Sequence, residues 1–120
     1  MPVIAAVFIV AVAALHVYFL VLEMFLWTTP FGRRTFRTTP EFAESSKTLA
    51  ANQGLYNGFL AAGLVWGLIA YGVHAGRPIL TFFLVCIVVA GVYGAATVSR
   101  RILLVQAVPA LIAGALLWLA

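Results

Sequence analysis

Four apolar stretches, each close to the roughly 20 residues that a helix needs to cross a bilayer, take up most of this chain. They run from about Val3 to Trp27, Leu49 to Val73, Ile79 to Thr97 and Ile102 to Ala120. Gly76, Arg77 and Pro78 break the second from the third. Ser99, Arg100 and Arg101 break the third from the fourth, leaving room only for a tight hairpin. A water-soluble domain is typically about a quarter charged; here 65% of residues are apolar and 8% are charged. The pattern predicts an all-α, integral membrane four-helix bundle, a single domain over residues 1–120 with the lipid bilayer as its main partner.

The opening run could be mistaken for a signal peptide, since Ala11-Val12-Ala13 loosely mimics a cleavage site. No basic residue precedes it and apolar sequence continues past it, so a retained helix is expected. The connection 28–48 is the only polar stretch of any size. Within it, Thr39-Pro40-Glu41 has the form of a helix start: a capping hydroxyl, a first-turn proline and an early acid. The second helix is therefore predicted to begin near Pro40, with Phe31, Phe36 and Phe42 at headgroup level.

The basic residues are unevenly shared. Arg33, Arg34, Arg37 and Lys47 lie in the first connection, Arg100 and Arg101 in the third, and Arg77 alone in the second. The positive-inside rule then places 28–48 and 98–101 in the cytoplasm and both termini outside. Because these cations sit in short connections and form no basic face, no nucleic-acid partner is expected.

Polar side chains at membrane depth are costly and need a partner or a cavity. His16 and Glu23 are two turns apart on one face of the first helix, in line with Val12, Leu20 and Trp27. Their depths differ by about 10 Å, too much for one metal ion and suited to two ends of an elongated pocket. Gln53 with Asn57, and Asn52 with Tyr56, are adjacent pairs on the second helix. Tyr93, Thr97 and Arg100 share a face of the third, and the fourth contributes Gln106 just before Pro109, which removes a helical hydrogen bond. With the orientation above, all of these fall in the cytoplasmic half of the bilayer, apart from His16 near its middle.

Singly, each of these residues reads as well as helix-to-helix glue. Their collection at one depth is what indicates a pocket. The expected ligand-binding set is His16, Glu23, Asn52, Gln53, Tyr56, Asn57, Tyr93, Arg100 and Gln106, open to the cytoplasm and suited to a small polar or amphipathic molecule. Glu23 is its charged anchor, with Arg100 as the expected ion-pair partner. Three alternatives stay open: a membrane enzyme with His16 or Glu23 as acid/base, a proton-coupled transporter working through Glu23, and an accessory subunit acting by helix packing. The transporter would need a homo-oligomer, the accessory subunit a membrane-protein partner. No nucleophilic triad, phosphate-binding glycine loop or metal-ligand set is present in the sequence, and neither catalytic residues nor a cofactor are assigned. Small residues supply close packing: Gly54, Gly58, Ala61 and Ala62 form one face of the second helix, Gly63 and Gly67 nearly the opposite one.

The run Asn52-Gln53-Gly54-Leu55-Tyr56-Asn57-Gly58-Phe59-Leu60-Ala61-Ala62-Gly63 follows His16, Glu23 and Phe36 and precedes Trp66, Gln106 and Pro109-Ala110. This pattern resembles a widespread bacterial family of small four-helix membrane proteins catalogued only as a domain of unknown function. The resemblance covers nearly the whole chain. It implies a four-helix fold and a multi-pass location in the bacterial plasma (inner) membrane, and it implies no activity. Small multidrug exporters and the eicosanoid and glutathione membrane enzymes share the helix number and some of the polar inventory, but not the motif.

Overall fold

The computed structural model describes residues 1–120 and is all-α. The order is α1 (Pro2–Met24), α2 (Pro30–Phe36), α3 (Pro40–Ala75), α4 (Arg77–Thr97), a π-helical segment (Leu103–Ala107) and α5 (Val108–Leu119). Three helices, α1, α3 and α4, are long and apolar enough to cross a membrane, and Leu103–Leu119 forms a shorter apolar run.

Local chemistry sets most of the helix ends. The Thr39 hydroxyl accepts the Phe42 N–H, so α3 starts at Pro40 as its cap and proline predict. The same device one step earlier, Thr29 ahead of Pro30, starts the short helix α2, with the Thr29 hydroxyl accepting the Gly32 N–H. That helix was not expected. It ends at Arg37, whose φ of 57° and ψ of 48° give a left-handed cap. The first helix stops at Met24, short of Trp27, because the chain turns there toward the Thr29 cap. In α3, Gly72 interrupts the helix with φ 82° and ψ 177°. Before α5, the Val108 N–H bonds to the Leu103 carbonyl, a π-type bond one residue longer than an α bond. Pro109 follows directly and cannot donate to Val105 as an α-helix would require, which accounts for the widened turn.

The chain divides into two compact units. One comprises residues 1–14 and 60–120. Its core draws on four helices: Ile9, Val12 and Ala13 of α1, Ala61 and Leu64 of α3, Leu80, Leu84 and Ile87 of α4, and Ala110, Ala113 and Leu117 of α5. Residues 98–102 join α4 to the π segment through turn hydrogen bonds, and Gly91 lies against Ala107 across that hairpin. Large apolar side chains also lie on the outside of this unit, with Ile69, Phe82, Val89, Leu104 and Leu111 all exposed. A surface of that kind fits a bilayer and not water.

The other unit is residues 15–59. It holds the end of α1, the whole connection with α2, and the start of α3. Trp27 organises it: its indole N–H donates to Ser46 Oγ at 3.1 Å, and its ring lies 4.9 Å from that of Phe36. A polar first part of α3, with Glu41, Glu44 and Lys47, precedes the apolar stretch that starts at Leu49. At 36 residues, α3 is much longer than the roughly 20 needed to span a bilayer.

Candidate functional site

The polar focus of the 15–59 unit lies where the end of α1 packs closely against α3. Gly54 makes the approach possible: a Cβ there would stand 2.7 Å from Met24 Cγ and 3.1 Å from Glu23 Cβ. One turn along α3, Gly58 is packed against Leu20 in the same way. Between them Asn57 projects at α1, and its Nδ2 donates to Glu23 Oε1 at 2.5 Å. Asn57 is 4% exposed, whereas Glu23 is half-buried. The second carboxylate oxygen, Oε2, accepts no hydrogen bond from the protein.

Glu23 lies on the wall of an open cleft of about 320 Å³. Met24, Phe25, Trp27 and Thr28 continue that wall, and Lys47, Thr48 and Ala51 of α3 form the other. Lys47 is itself paired with Glu44, the one ion pair in the structure. The cleft therefore offers one uncommitted carboxylate oxygen, two threonine hydroxyls and an apolar, partly aromatic wall. Such a surface can hold a donor-bearing molecule that also has an apolar part. No three His, Cys, Asp or Glu side chains gather anywhere in the chain.

Of the residues expected to form one pocket, Glu23 and Asn57 are brought together. His16 is fully buried, with its ring edge-on to Phe19 at 5.4 Å. Asn52, Gln53 and Tyr56 are exposed on α3, Tyr93 is exposed on α4, and Arg100 is exposed in the turn that follows. Gln106 is half-buried within the π segment. Glu23 is partnered by Asn57 within its own unit, and Arg100, the expected counter-charge, belongs to the other unit. The glycine at 54 sets which α3 side chain reaches the end of α1. Sequence reasoning missed Lys47, Thr48 and Ala51 as cleft residues. Trp27 carried a usable signal, since it continues the His16–Glu23 stripe.

A family model described as "Protein of unknown function (DUF1304)" matches residues 10–118. The chain belongs to this family. The matched span includes both Glu23 and Asn57 and nearly all of the helical structure. The chain is also similar to the uncharacterized protein YpaA of Lactococcus lactis subsp. lactis, 30% identical over 108 residues, which are 88% of this chain and 89% of that protein. No solved structure matches it.

Proposed function

We propose that this DUF1304 member is a multi-pass protein of the bacterial plasma membrane that binds a small polar or amphipathic molecule in the Glu23 cleft. In this reading α1, α3, α4 and the Leu103–Leu119 run each cross the bilayer, and both termini lie outside. The six cations of residues 28–48 and 98–101 support that orientation. It puts the cleft on the cytoplasmic side, with its ligand drawn from the cytoplasm or the inner leaflet.

The observation that carries the binding reading is the Asn57–Glu23 hydrogen bond on the cleft wall. It fixes one carboxylate oxygen and leaves the other free, so the anchor is oriented before a ligand arrives. The apolar wall of Met24, Phe25 and Trp27 would take the non-polar part of the molecule. About 320 Å³ is at the small end of the range for such sites. Thr28 and Thr48 supply the hydroxyls that would select its polar groups.

Native mass spectrometry after purification in mild detergent tests the proposal. The wild-type chain should carry a small-molecule adduct that Glu23→Ala loses. A bare wild-type chain, or an adduct that Glu23→Ala retains, would overturn it. The orientation is tested separately in a Cys86→Ser background. A cysteine introduced as Phe31→Cys should react with an impermeant reagent only from inside, and one introduced as His74→Cys only from outside.

A further inference from the structure

A second cleft, of about 380 Å³, lies between α4 and α5 in the unit of residues 1–14 and 60–120. Val85 and Val88 on α4 and Leu111 and Gly114 on α5 line it. Gly114 keeps it open: a Cβ added there would meet nothing within 4 Å. Along most of its length the lining is aliphatic, as for any groove that faces lipid.

Its one end is different. Trp118 closes the groove there, and its indole N–H donates to Thr81 Oγ1 at 3.1 Å. The Arg77 guanidinium stands over the same indole, 5.0 Å from the ring centroid. Arg77 and Thr81 are one turn apart on α4, so the cation heads the wall that lines the groove. Its protein partners are few. One Nη2 hydrogen goes to the Ala120 oxygen at 3.3 Å, and the buried Nε has no acceptor. The chain's three acidic side chains are Glu23, Glu41 and Glu44, so residues 1–14 and 60–120 carry no acidic side chain. Arg77 is thus a held cation with spare donors and no anionic side chain in its own unit.

We infer that this groove binds one anionic phospholipid, with an acyl chain against Val85, Val88 and Gly114 and the phosphate on Arg77. Arginine recognises phosphate through several donors at once, and tryptophan favours the headgroup level. A second copy of the chain is a poorer occupant, because its equivalent unit brings no acidic side chain to meet Arg77. The inference rests on membrane residence. It is independent of the Glu23 cleft and holds for either orientation.

Quenching of tryptophan fluorescence by brominated acyl chains tests it. The chain is reconstituted in phosphatidylcholine vesicles that carry, at equal mole fraction, brominated phosphatidylglycerol or brominated phosphatidylcholine. The Trp118 signal is the difference between wild type and Trp118→Phe, which keeps a ring beneath Arg77. Phosphatidylglycerol should compete for the groove about fivefold better, the ratio expected from one basic side chain near a membrane surface. Arg77→Gln should bring that ratio close to one, and Gly114→Leu should weaken quenching by both lipids. Equal quenching of the wild-type Trp118 by the two lipids would leave only bulk lipid and overturn the proposal. An unquenched Trp118 would overturn it too, by showing that another protein surface covers the groove. The wild-type comparison decides the matter even if Arg77→Gln fails to fold, and loss of the Glu23 adduct would not alter it.

Discussion

Asn57 on α3 donates to Glu23 on α1 at 2.5 Å, and of the two it is the neutral amide that is the more deeply buried. The relationship is therefore asymmetric. Asn57 is withdrawn from solvent and has committed a donor to the carboxylate, whereas Glu23 keeps an oxygen for the cleft. Holding the anchor from the inside leaves its outer oxygen available, and the same bond joins the two helices.

A double-mutant cycle measures what the bond contributes. Asn57→Leu and Glu23→Leu should each lower stability by about 1–3 kcal/mol, because each leaves a buried or half-buried polar partner without its hydrogen bond. The pair should lose less than the sum, by about 0.5 kcal/mol or more. Thermal unfolding in detergent gives these values. If the two losses simply add, the bond contributes nothing and the cleft anchor is not held in place.

Gly54 is the position on which that geometry depends. Valine there would drive its side chain into Met24 and Glu23 Cβ, and the Leu20 carbonyl oxygen lies only 3.2 Å from the first added carbon. Met24 can swing aside, but the backbone oxygen cannot. Gly54→Val should cost about 1–3 kcal/mol through overpacking. It should also abolish the small-molecule adduct although every cleft side chain is retained. An adduct of unchanged intensity would show that ligand binding does not need the close approach of α1 and α3.

Much of this was legible in the chain because apolar run length and capping chemistry act locally. Thr39-Pro40 announces the start of α3 by the same physics that operates in the fold, a hydroxyl that satisfies a free N–H ahead of a proline. Thr29-Pro30 carries an identical signal for α2, obscured by its place in a segment read as a plain connection. The partner of Glu23 was harder. On a list of residues Arg100 is the obvious counter-charge, but which side chains meet depends on how closely two backbones pack. Gly54 and Gly58 could be recognised as a smooth face without revealing which helix would occupy it. The kink at Gly72 and the π turn ahead of Pro109 leave weaker traces still, since a single glycine or proline is consistent with several backbone paths.

Trp27 is expected to hold the connection in place. Its hydrogen bond to Ser46 and its contact with Phe36 tie the turn after α1 to both α2 and α3. Trp27→Phe retains a ring but loses the donor. Limited trypsin digestion should then cut faster after Arg34 and Arg37, which are exposed. Ser46→Ala should produce the same change by removing the acceptor. Unaltered cleavage in both variants would mean that the contact with Phe36 alone keeps the connection folded.

Gly72 provides the cleanest test of a backbone effect, because a side chain there would have free space. Its φ of 82° and ψ of 177° fall in a region that is essentially reserved for glycine. A Cβ at 72 would meet no atom within 4 Å, and the same is true of Gly114 within α5. The two positions therefore differ in conformation and not in available space. Gly114→Ala should be neutral or stabilise by up to about 1 kcal/mol, the helical preference of alanine over glycine. Gly72→Ala should instead destabilise by about 1–3 kcal/mol, the strain of placing a side chain in that region. Thermal unfolding of the two variants in the same detergent compares them directly. Equal stability would mean that α3 can straighten at residue 72 at no cost, in which case the kink is not a required part of the fold.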